Sequence, residues 1–422
     1  MQRFSLAVLL MLLIPFKVNA EEIVKKDDLL NLDQCIEIAI KKHPDIAAAV
    51  NTVGISQSRV GQAKAGYYPQ IEWSSGYRRY SPIGSISDRS FDEYSSSVTL
   101  KQNIFDFGKT TTQVNIQRLN LRSSNSDLED TMQQILFNVK QAYYGVLQAG
   151  RNRDVAIEVV KQYEQHLEQA KGFYDVGTKP KIDVTKAEVD LSNTKLNLIK
   201  AENSLRISKA TLNNAMGAPD MPEYKIKDTL SFQKYEISFE DAIHKAYENR
   251  PNLKSIISRK QSAEESIGLA EKGYYPVLSG NASYNWSGER FPIENGWDAG
   301  VTVTFPIFSG FLTKNQVEEA RLNLNVLKVN EDSLRQKIFL EIQQAYLNLQ
   351  ESAERISVAE ITVKQAEENL DLAKGRYEVG LGNSVELTDA MVTYTNAKTA
   401  YNQALYDYKI AEASLLKGMG DK

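Results

Sequence analysis

The side chains that could do chemistry in this 422-residue chain are few and widely separated. His43, His166 and His244 lie in helical stretches far from one another, and Cys35 is the only cysteine. A zinc site needs several His or Cys ligands at short spacing, and an internal disulfide needs two cysteines. The glycine pair at 380–382 follows a helix rather than a strand, so it does not predict a nucleotide site. We therefore expect no catalytic residue, metal ion or cofactor, and no enzyme.

Two carboxylates are the most informative polar pair. Glu386 and Asp389 are three residues apart at the start of a predicted helix, so they share one helix face. In several copies around an axis they would form stacked carboxylate rings, which attract cations and raise one another's pKa. The alternative is that both simply complement the positive end of the helix dipole.

Composition excludes several classes of protein. With 50 basic and 54 acidic residues the formal charge is −4, which argues against a nucleic-acid partner. A mean hydropathy of −0.40 is too low for a polytopic helical membrane protein. The 23 Gly and 11 Pro are a small number for this length, which indicates few turns and long elements.

Residues 1–20 have the pattern of a secretory signal peptide. Arg3 precedes an apolar stretch from Leu6 to Phe16, and Val18-Asn19-Ala20 has the small residues of a cleavage site. A membrane anchor is the alternative, but the apolar stretch is short for a spanning helix. We expect cleavage after Ala20, and a mature chain that could re-enter a membrane only through β-strands.

The mature chain is a tandem duplication. Gly66-Tyr67-Tyr68-Pro69 recurs 207 residues later, and Tyr174-Asp175-Val176-Gly177 recurs as Tyr377-Glu378-Val379-Gly380, 203 residues later. We predict repeats over 21–217 and 238–422, joined by a linker at 218–237. Each repeat contains a helix (32–66; 239–273), two strands, a long helix (108–175; 311–378) and a returning helix (182–217; 385–420). The predicted strands are 70–80 and 94–105, then 277–287 and 298–308.

These elements raise a closure problem. The long and returning helices have apolar residues spaced alternately by three and four, as in a coiled coil. The four strands have membrane-spanning length, with aromatic residues near their ends, but the smallest single-chain barrels use eight strands. The strands would therefore have to come from several chains. A small soluble sheet on a helical stalk is the alternative.

The whole pattern resembles the TolC-like outer-membrane efflux proteins, also called outer membrane factors. The resemblance depends on the two Gly-Tyr-Tyr-Pro motifs, on Asn103–Gly108 and Pro306–Gly310 before the long helices, and on Tyr377–Gly380 followed by Val385–Ala390. It implies a mainly α-helical fold with a membrane β-barrel portion from strands 70–105 and 277–308. Three chains would close a 12-stranded barrel on a long periplasmic α-helical barrel.

The resemblance also implies a function and partners. Such a homotrimer lies in the lipid of the cell outer membrane and extends into the periplasm. It is the passive exit duct of a tripartite efflux pump or type I secretion system, coupled through a periplasmic adaptor (membrane fusion protein) to an inner-membrane transporter. The cargo, whether drug, metal ion or protein, is left open.

Specific residues follow from the same resemblance. Glu386 and Asp389 correspond to the acidic ring at the closed entrance, and Asp183 and Tyr377 to links that hold it shut. The resembling family often has an arginine where this chain has Gly382, so we expect different contacts to hold this gate shut. The adaptor-contact tips correspond to Val176-Gly177-Thr178 and Val379-Gly380-Leu381, although these glycines also suit simple helix termination.

Two other functions are weighed against the duct. A secreted periplasmic coiled-coil adaptor or scaffold would explain the helical periodicity, but not the strands, and the chain shows no lipoyl-like β-domain. An enzyme is disfavoured because no reactive constellation is present.

Overall fold

The computed structural model describes residues 27–81 and 90–421, so the predicted signal peptide at 1–20 lies outside the described residues. The first part of the chain forms β1 (Leu29–Leu30), α1 (Leu32–Lys42), α2 (Pro44–Lys64), β2 (Gln70–Tyr80), β3 (Phe91–Phe105), α3 (Lys109–Asp175) and α4 (Lys181–Ala215). The second part forms β4 (Lys225–Ile226), α5 (Phe239–Asn249), α6 (Pro251–Glu271), β5 (Val277–Gly288), β6 (Glu294–Thr304), α7 (Leu312–Glu378) and α8 (Ser384–Met419). Short 3₁₀ turns at Ala65–Tyr67 and Lys272–Tyr274 precede the strands.

The first helix of each repeat is broken, and the prediction of single helices over 32–66 and 239–273 is wrong. The breaks lie at His43 (φ −67°, ψ 125°) and Arg250 (φ −62°, ψ 121°), both extended. Each precedes a proline, Pro44 or Pro251, whose ring clashes with a helical conformation of the preceding residue. Each proline then opens the next helix, where its missing N–H costs nothing.

The four long strands form one antiparallel sheet in the order β2-β3-β5-β6. The central β3–β5 pairing joins the two repeats, while β2 and β6 are the edges. The strand predicted at 298–308 is instead Glu294–Thr304, because Glu294 pairs with Ser287 and Pro306 cannot donate to a ladder. β3 begins at Phe91, three residues before the predicted start.

The two faces of this sheet differ sharply in polarity. Directly opposed residues of neighbouring strands share a face. One face carries rows such as Ile71–Leu100–Ala282–Ala299 and Trp73–Val98–Tyr284–Trp297. The other carries Glu72–Thr99–Ser283–Asp298 and Ser74–Ser97–Asn285–Gly296. Trp73 and Trp297 are 68% and 76% exposed, so the apolar face is uncovered in the single chain.

The long helices form a row in the order α4-α3-α8-α7, in which neighbouring helices pack against each other. The predicted heptad seams lie in these contacts. In α8 the seam residues Ala390, Tyr394, Ala397, Ala404, Tyr408, Ala411 and Leu415 are buried. Among the described residues, no helix combines the length and apolarity that a membrane crossing requires.

Two buried clusters stabilise the row. The larger one surrounds Tyr143, Ile338, Ile342 and Leu415 where α1, α5 and the 218–237 segment pack on the long helices. The smaller one lies near the turns at the far end and contains Tyr163, Tyr377, Leu387 and Tyr394. β1 pairs in parallel with β4, so the segment predicted as a linker is tied back to the start of the described chain.

Candidate functional site

The α3–α4 and α7–α8 turns have the same backbone conformation. Gly177 (φ 77°) and Gly380 (φ 78°) are both left-handed, as expected after a helix C-terminus. The amide of Thr178 donates to Phe173 O at 2.9 Å, and the amide of Leu381 donates to Arg376 O at 2.9 Å. These bonds satisfy carbonyls that the helix ends would otherwise leave open. Gly177 and Gly380 therefore shape the turns whatever else these turns contact.

The turns present apolar side chains to solvent. Val176, Val379 and Leu381 are 72%, 69% and 76% exposed. Thr178 is exposed beside them. Large apolar residues exposed together at the end of a structure are typical of a contact surface.

Behind the turns, Tyr377 is fully buried and joins α7 to α3. Its ring packs edge-on against His166 at 5.0 Å and Phe173 at 5.6 Å between centroids. His166 Nε2 lies 3.2 Å from Ser384 Oγ at the start of α8, and burial lowers the pKa of His166. His166 is therefore a packing residue of the tip whose burial favours the neutral ring, and sequence reasoning placed it only in a helical stretch.

The structure brings Asp183 and Tyr377 near each other without a hydrogen bond between them. Burial first, and then the Asp183 carboxylate, raises the pKa of Tyr377. Tyr377 Oη has no hydrogen-bond partner in the described part of the chain, although it is buried. The pair is thus coupled electrostatically within one subunit.

Glu386 and Asp389 are both exposed in the first turns of α8. Asn383 caps this helix, and the Glu386 amide donates to Asn383 Oδ1 at 2.7 Å. Arg376 Nε donates to Glu386 Oε1 at 3.0 Å across the turn. Sequence reasoning missed Arg376, because ten residues separate it from Glu386 and only the left-handed turn brings them together. This guanidinium offsets part of the negative charge of the pair.

Gly382 leaves little room for a side chain. A Cβ there would lie 3.0 Å from Tyr377 N and 3.1 Å from Arg376 C. Its carbonyl instead accepts a hydrogen bond from Lys179 Nζ at 3.1 Å. In addition to Arg376, the α7–α8 turn therefore has a second cation beside it, and this one comes from the α3–α4 turn.

No group of three or more His, Cys, Asp or Glu among residues 27–81 and 90–421 is arranged to hold a metal ion. The site consists of carboxylates, two cations and packed aromatic rings. Its chemistry is electrostatic, and its geometry depends on how two helix pairs meet.

Comparison with known proteins agrees with this architecture. Residues 35–218 and 242–421 match the family model "Outer membrane efflux protein". The outer membrane protein TolC of Escherichia coli is 24% identical, over 92% of this chain and 82% of that protein. The alkaline protease secretion protein AprF of Pseudomonas aeruginosa is 20% identical, over 90% and 82%. The CmeC outer membrane channel of Campylobacter jejuni has a TM-score of 0.82 at 18% identity, covering 92% of this chain and 85% of that one. The chain belongs to the outer membrane efflux protein family.

Proposed function

We propose that this protein is a homotrimeric outer-membrane exit duct, a passive conduit gated at its periplasmic helical tip. The observation that carries the proposal is the four-stranded sheet with two unpaired edges and one apolar face. A membrane strand must pair on both sides, since lipid offers no hydrogen bonds to its backbone. Three sheets joined edge to edge, β6 of one subunit to β2 of the next, would make twelve strands and leave no free edge.

The helical part supports the same assembly. α4 and α7 stand at the two ends of the helix row, and both carry exposed apolar side chains along their length. These are Ile182, Val189, Leu196, Ile199 and Ile207 on α4, and Leu322, Val326, Val329, Leu340, Leu347, Val358, Ile361 and Leu372 on α7. A neighbouring subunit that set its α7 against α4 would bury both stripes and continue the row into a tube.

The gate belongs to the α7–α8 turn. Three copies of Glu386 and Asp389 around the axis would form two acidic rings, which attract cations and oppose passive leak. Asp183 and Tyr377 would link the two helix pairs of each subunit at the same level. The duct opens when a partner binds a splayed arrangement of these helices better than the closed one.

The tips would meet the partners. Val176-Gly177-Thr178 and Val379-Gly380-Leu381 are the exposed apolar ends that a periplasmic adaptor would cover, and the adaptor would connect the duct to an inner-membrane transporter. The family is named for outer-membrane efflux, and the relative AprF is named for the secretion of alkaline protease, so an efflux pump and a type I secretion system both fit.

The domain organisation is part of the proposal. A signal peptide at 1–20 would direct export, and the segment 218–237 would be the linker that joins repeats 21–217 and 238–422. Strands 70–105 and 277–308 would form the outer-membrane barrel portion.

The assembly is tested by fractionation and gel electrophoresis of the full-length protein. We expect heat-resistant trimers in the outer-membrane fraction. A soluble periplasmic monomer would contradict the duct and favour the alternative, a coiled-coil adaptor or scaffold.

The gate is tested in planar lipid bilayers. Glu386→Ala with Asp389→Ala is expected to raise single-channel conductance or to remove block by multivalent cations. The matched control is Glu367→Ala with Glu368→Ala, which removes two exposed carboxylates of α7 away from the turn. No change in conductance or block in the first variant, or the same change in both, would reject the acidic gate.

A further inference from the structure

Lys179 in the α3–α4 turn is placed unlike its neighbours. Residues 174–178 and 180–182 are exposed, whereas Lys179 is half-buried. Its ammonium lies 3.1 Å from Gly382 O and 4.6 Å from the centre of the Tyr377 ring. A lysine that gives up hydration on a surface turn must gain compensating contacts, and here the two nearest come from the other helix pair. The Phe173 ring of its own pair lies farther away, with its centre 5.9 Å from the ammonium.

The backbone of the turn fixes the direction of this side chain. The amides of Thr178 and Lys179 both donate to Phe173 O, at 2.9 and 3.3 Å. Pro180 follows immediately with φ −75° and leads into α4. The backbone of Lys179 is therefore already ordered, so forming these contacts costs little further backbone entropy.

The acceptor is equally constrained. Gly382 N donates to Arg376 O at 2.8 Å, and the missing Cβ allows the turn to fold back onto α7. Lys179 and Gly382 are 203 residues apart, so they are equivalent positions of the two repeats. One copy of this position supplies a cation, and the other supplies a bare carbonyl.

We propose that Lys179 is the latch that holds the α3–α4 and α7–α8 turns of one subunit together and so keeps the duct closed. This inference rests on the gate proposed above and names a positioning residue for it. Two other hydrogen bonds between the pairs lie near the turns in the described part of the chain, a 3.2 Å contact of His166 with Ser384 and a 3.5 Å contact of Gln169 with Glu378, and neither involves a cation. The ion pair of Lys398 with Glu158, at 2.7 Å, also joins the pairs, but it lies several helical turns away from the tip. The hydrogen bond of Lys179 is the charge-assisted contact at the turns themselves.

The Lys179 contact opposes separation of the α3–α4 helix pair from the α7–α8 helix pair, and not motion within either pair. Arg376–Glu386 lies within the α7–α8 pair, and Lys171–Glu188 lies within the α3–α4 pair, so both ion pairs survive when the two pairs separate as rigid bodies. The contact of Lys179 with Gly382 and Tyr377 does not survive. Loss of this contact favours the open state in each of the three subunits.

The test is single-channel recording of full-length trimers in planar lipid bilayers. Lys179→Met keeps the apolar stem and removes the charge, and we expect it to raise the open probability about tenfold, the size of a lost charge-assisted hydrogen bond with a cation–π contact. Lys179→Arg keeps the cation and is expected to stay close to the wild type. Lys181→Met removes an exposed charge two residues away and is the matched control.

A second variant tests the acceptor. Gly382→Ala brings a Cβ to 3.0 Å from Tyr377 N, and we expect the turn to relieve this contact by shifting its carbonyl away from Lys179. The open probability is therefore expected to rise as in Lys179→Met. The double variant is then expected to behave like either single one, because both remove the same contact. Heat-resistant trimers on gels check that each variant assembles.

The outcomes separate this inference from the proposed function. If the wild type forms channels and the open probability of Lys179→Met is unchanged, the latch is overturned and the proposed duct stands. An equal rise in Lys179→Met and Lys181→Met also overturns it, since the effect would then be one of tip charge alone. Absence of any channel in the wild type overturns the duct itself.

Discussion

Replacing a left-handed glycine by alanine is expected to destabilise the protein much more at the ends of α4 and α8 than at the tip turns. Gly217 (φ 67°) follows α4, and Gly177 (φ 77°) lies in the tip turn. Alanine in this conformation costs about 1–2 kcal/mol at either position. A Cβ on Gly177 would meet nothing within 4 Å, but on Gly217 it would lie 2.6 Å from His43 Cα and 3.0 Å from His43 N. Overpacking adds about 1–3 kcal/mol, so Gly217→Ala is expected to cost about 2–5 kcal/mol in total.

The measurement is loss of helical circular dichroism on heating, together with the yield of heat-resistant trimers. The duplication supplies a second matched pair. Gly420 would place a Cβ 2.9 Å from Asn249 C, whereas Gly380 has open space. We expect Gly217→Ala and Gly420→Ala to unfold at clearly lower temperature than Gly177→Ala and Gly380→Ala. If all four variants unfold at the same temperature, the claim that α4 and α8 end in close contact with the helix breaks at His43 and Arg250 is refuted.

Three further predictions address the tip and the sheet. Burial lowers the pKa of His166, so this imidazole takes up a proton more readily in the unfolded chain than in the folded one. The resistance of the tip to limited proteolysis should therefore fall as the pH is lowered from 7 to 5, and His166→Gln should flatten this pH dependence. Arg376→Gln uncovers Glu386 and should strengthen block by divalent cations in bilayer recordings, and weaker block would contradict the ion pair's role. Val301→Lys on the apolar face should cost about 2–4 kcal/mol in lipid and reduce trimer yield, whereas Thr302→Lys on the polar face should be tolerated; equal yields would reject the lipid-facing assignment.

Much of the fold was predictable because its signals are periodic. The predicted long helices at 108–175 and 311–378 lie within one residue of α3 and α7 at each end, since a 3.6-residue pattern sustained over 67 residues is unambiguous. The break at His43 was missed although Pro44 signals it, because apolar periodicity continues across it. β1 and β4 are two residues each, too short to have a pattern. The bounds of β6 depend on pairing with β5, which is not local information.

The candidate site was predictable only in part, for the same physical reason. Glu386 and Asp389 can be found because helix geometry relates residues three apart. Arg376 and Lys179 reach the site across turns whose left-handed glycines reverse the chain, and their partners are 10 and 203 residues away. Burial of His166 depends on α7 and α8, so its own helix does not reveal it.

Duplication supports the gate that is proposed at the tip. Two turns with nearly identical backbones, at φ 77° and 78°, would form equivalent surfaces if their side chains also matched. The side chains have diverged instead: Phe173 corresponds to Arg376, Lys179 to Gly382, and the exposed Tyr174 to the buried Tyr377. Each divergence makes one turn complementary to the other, with an aromatic face and an ammonium on one side and a ring and a carbonyl on the other. Near the tip the two helix pairs meet through the smaller apolar cluster around Tyr377, together with a few polar and cation–π interactions, whereas further along the helices the larger apolar cluster joins them. Because less apolar surface is buried at the tip, separation of the pairs costs less there. We therefore propose that the two helix pairs separate at the end of the row that faces away from the sheet, while the larger apolar cluster stays intact.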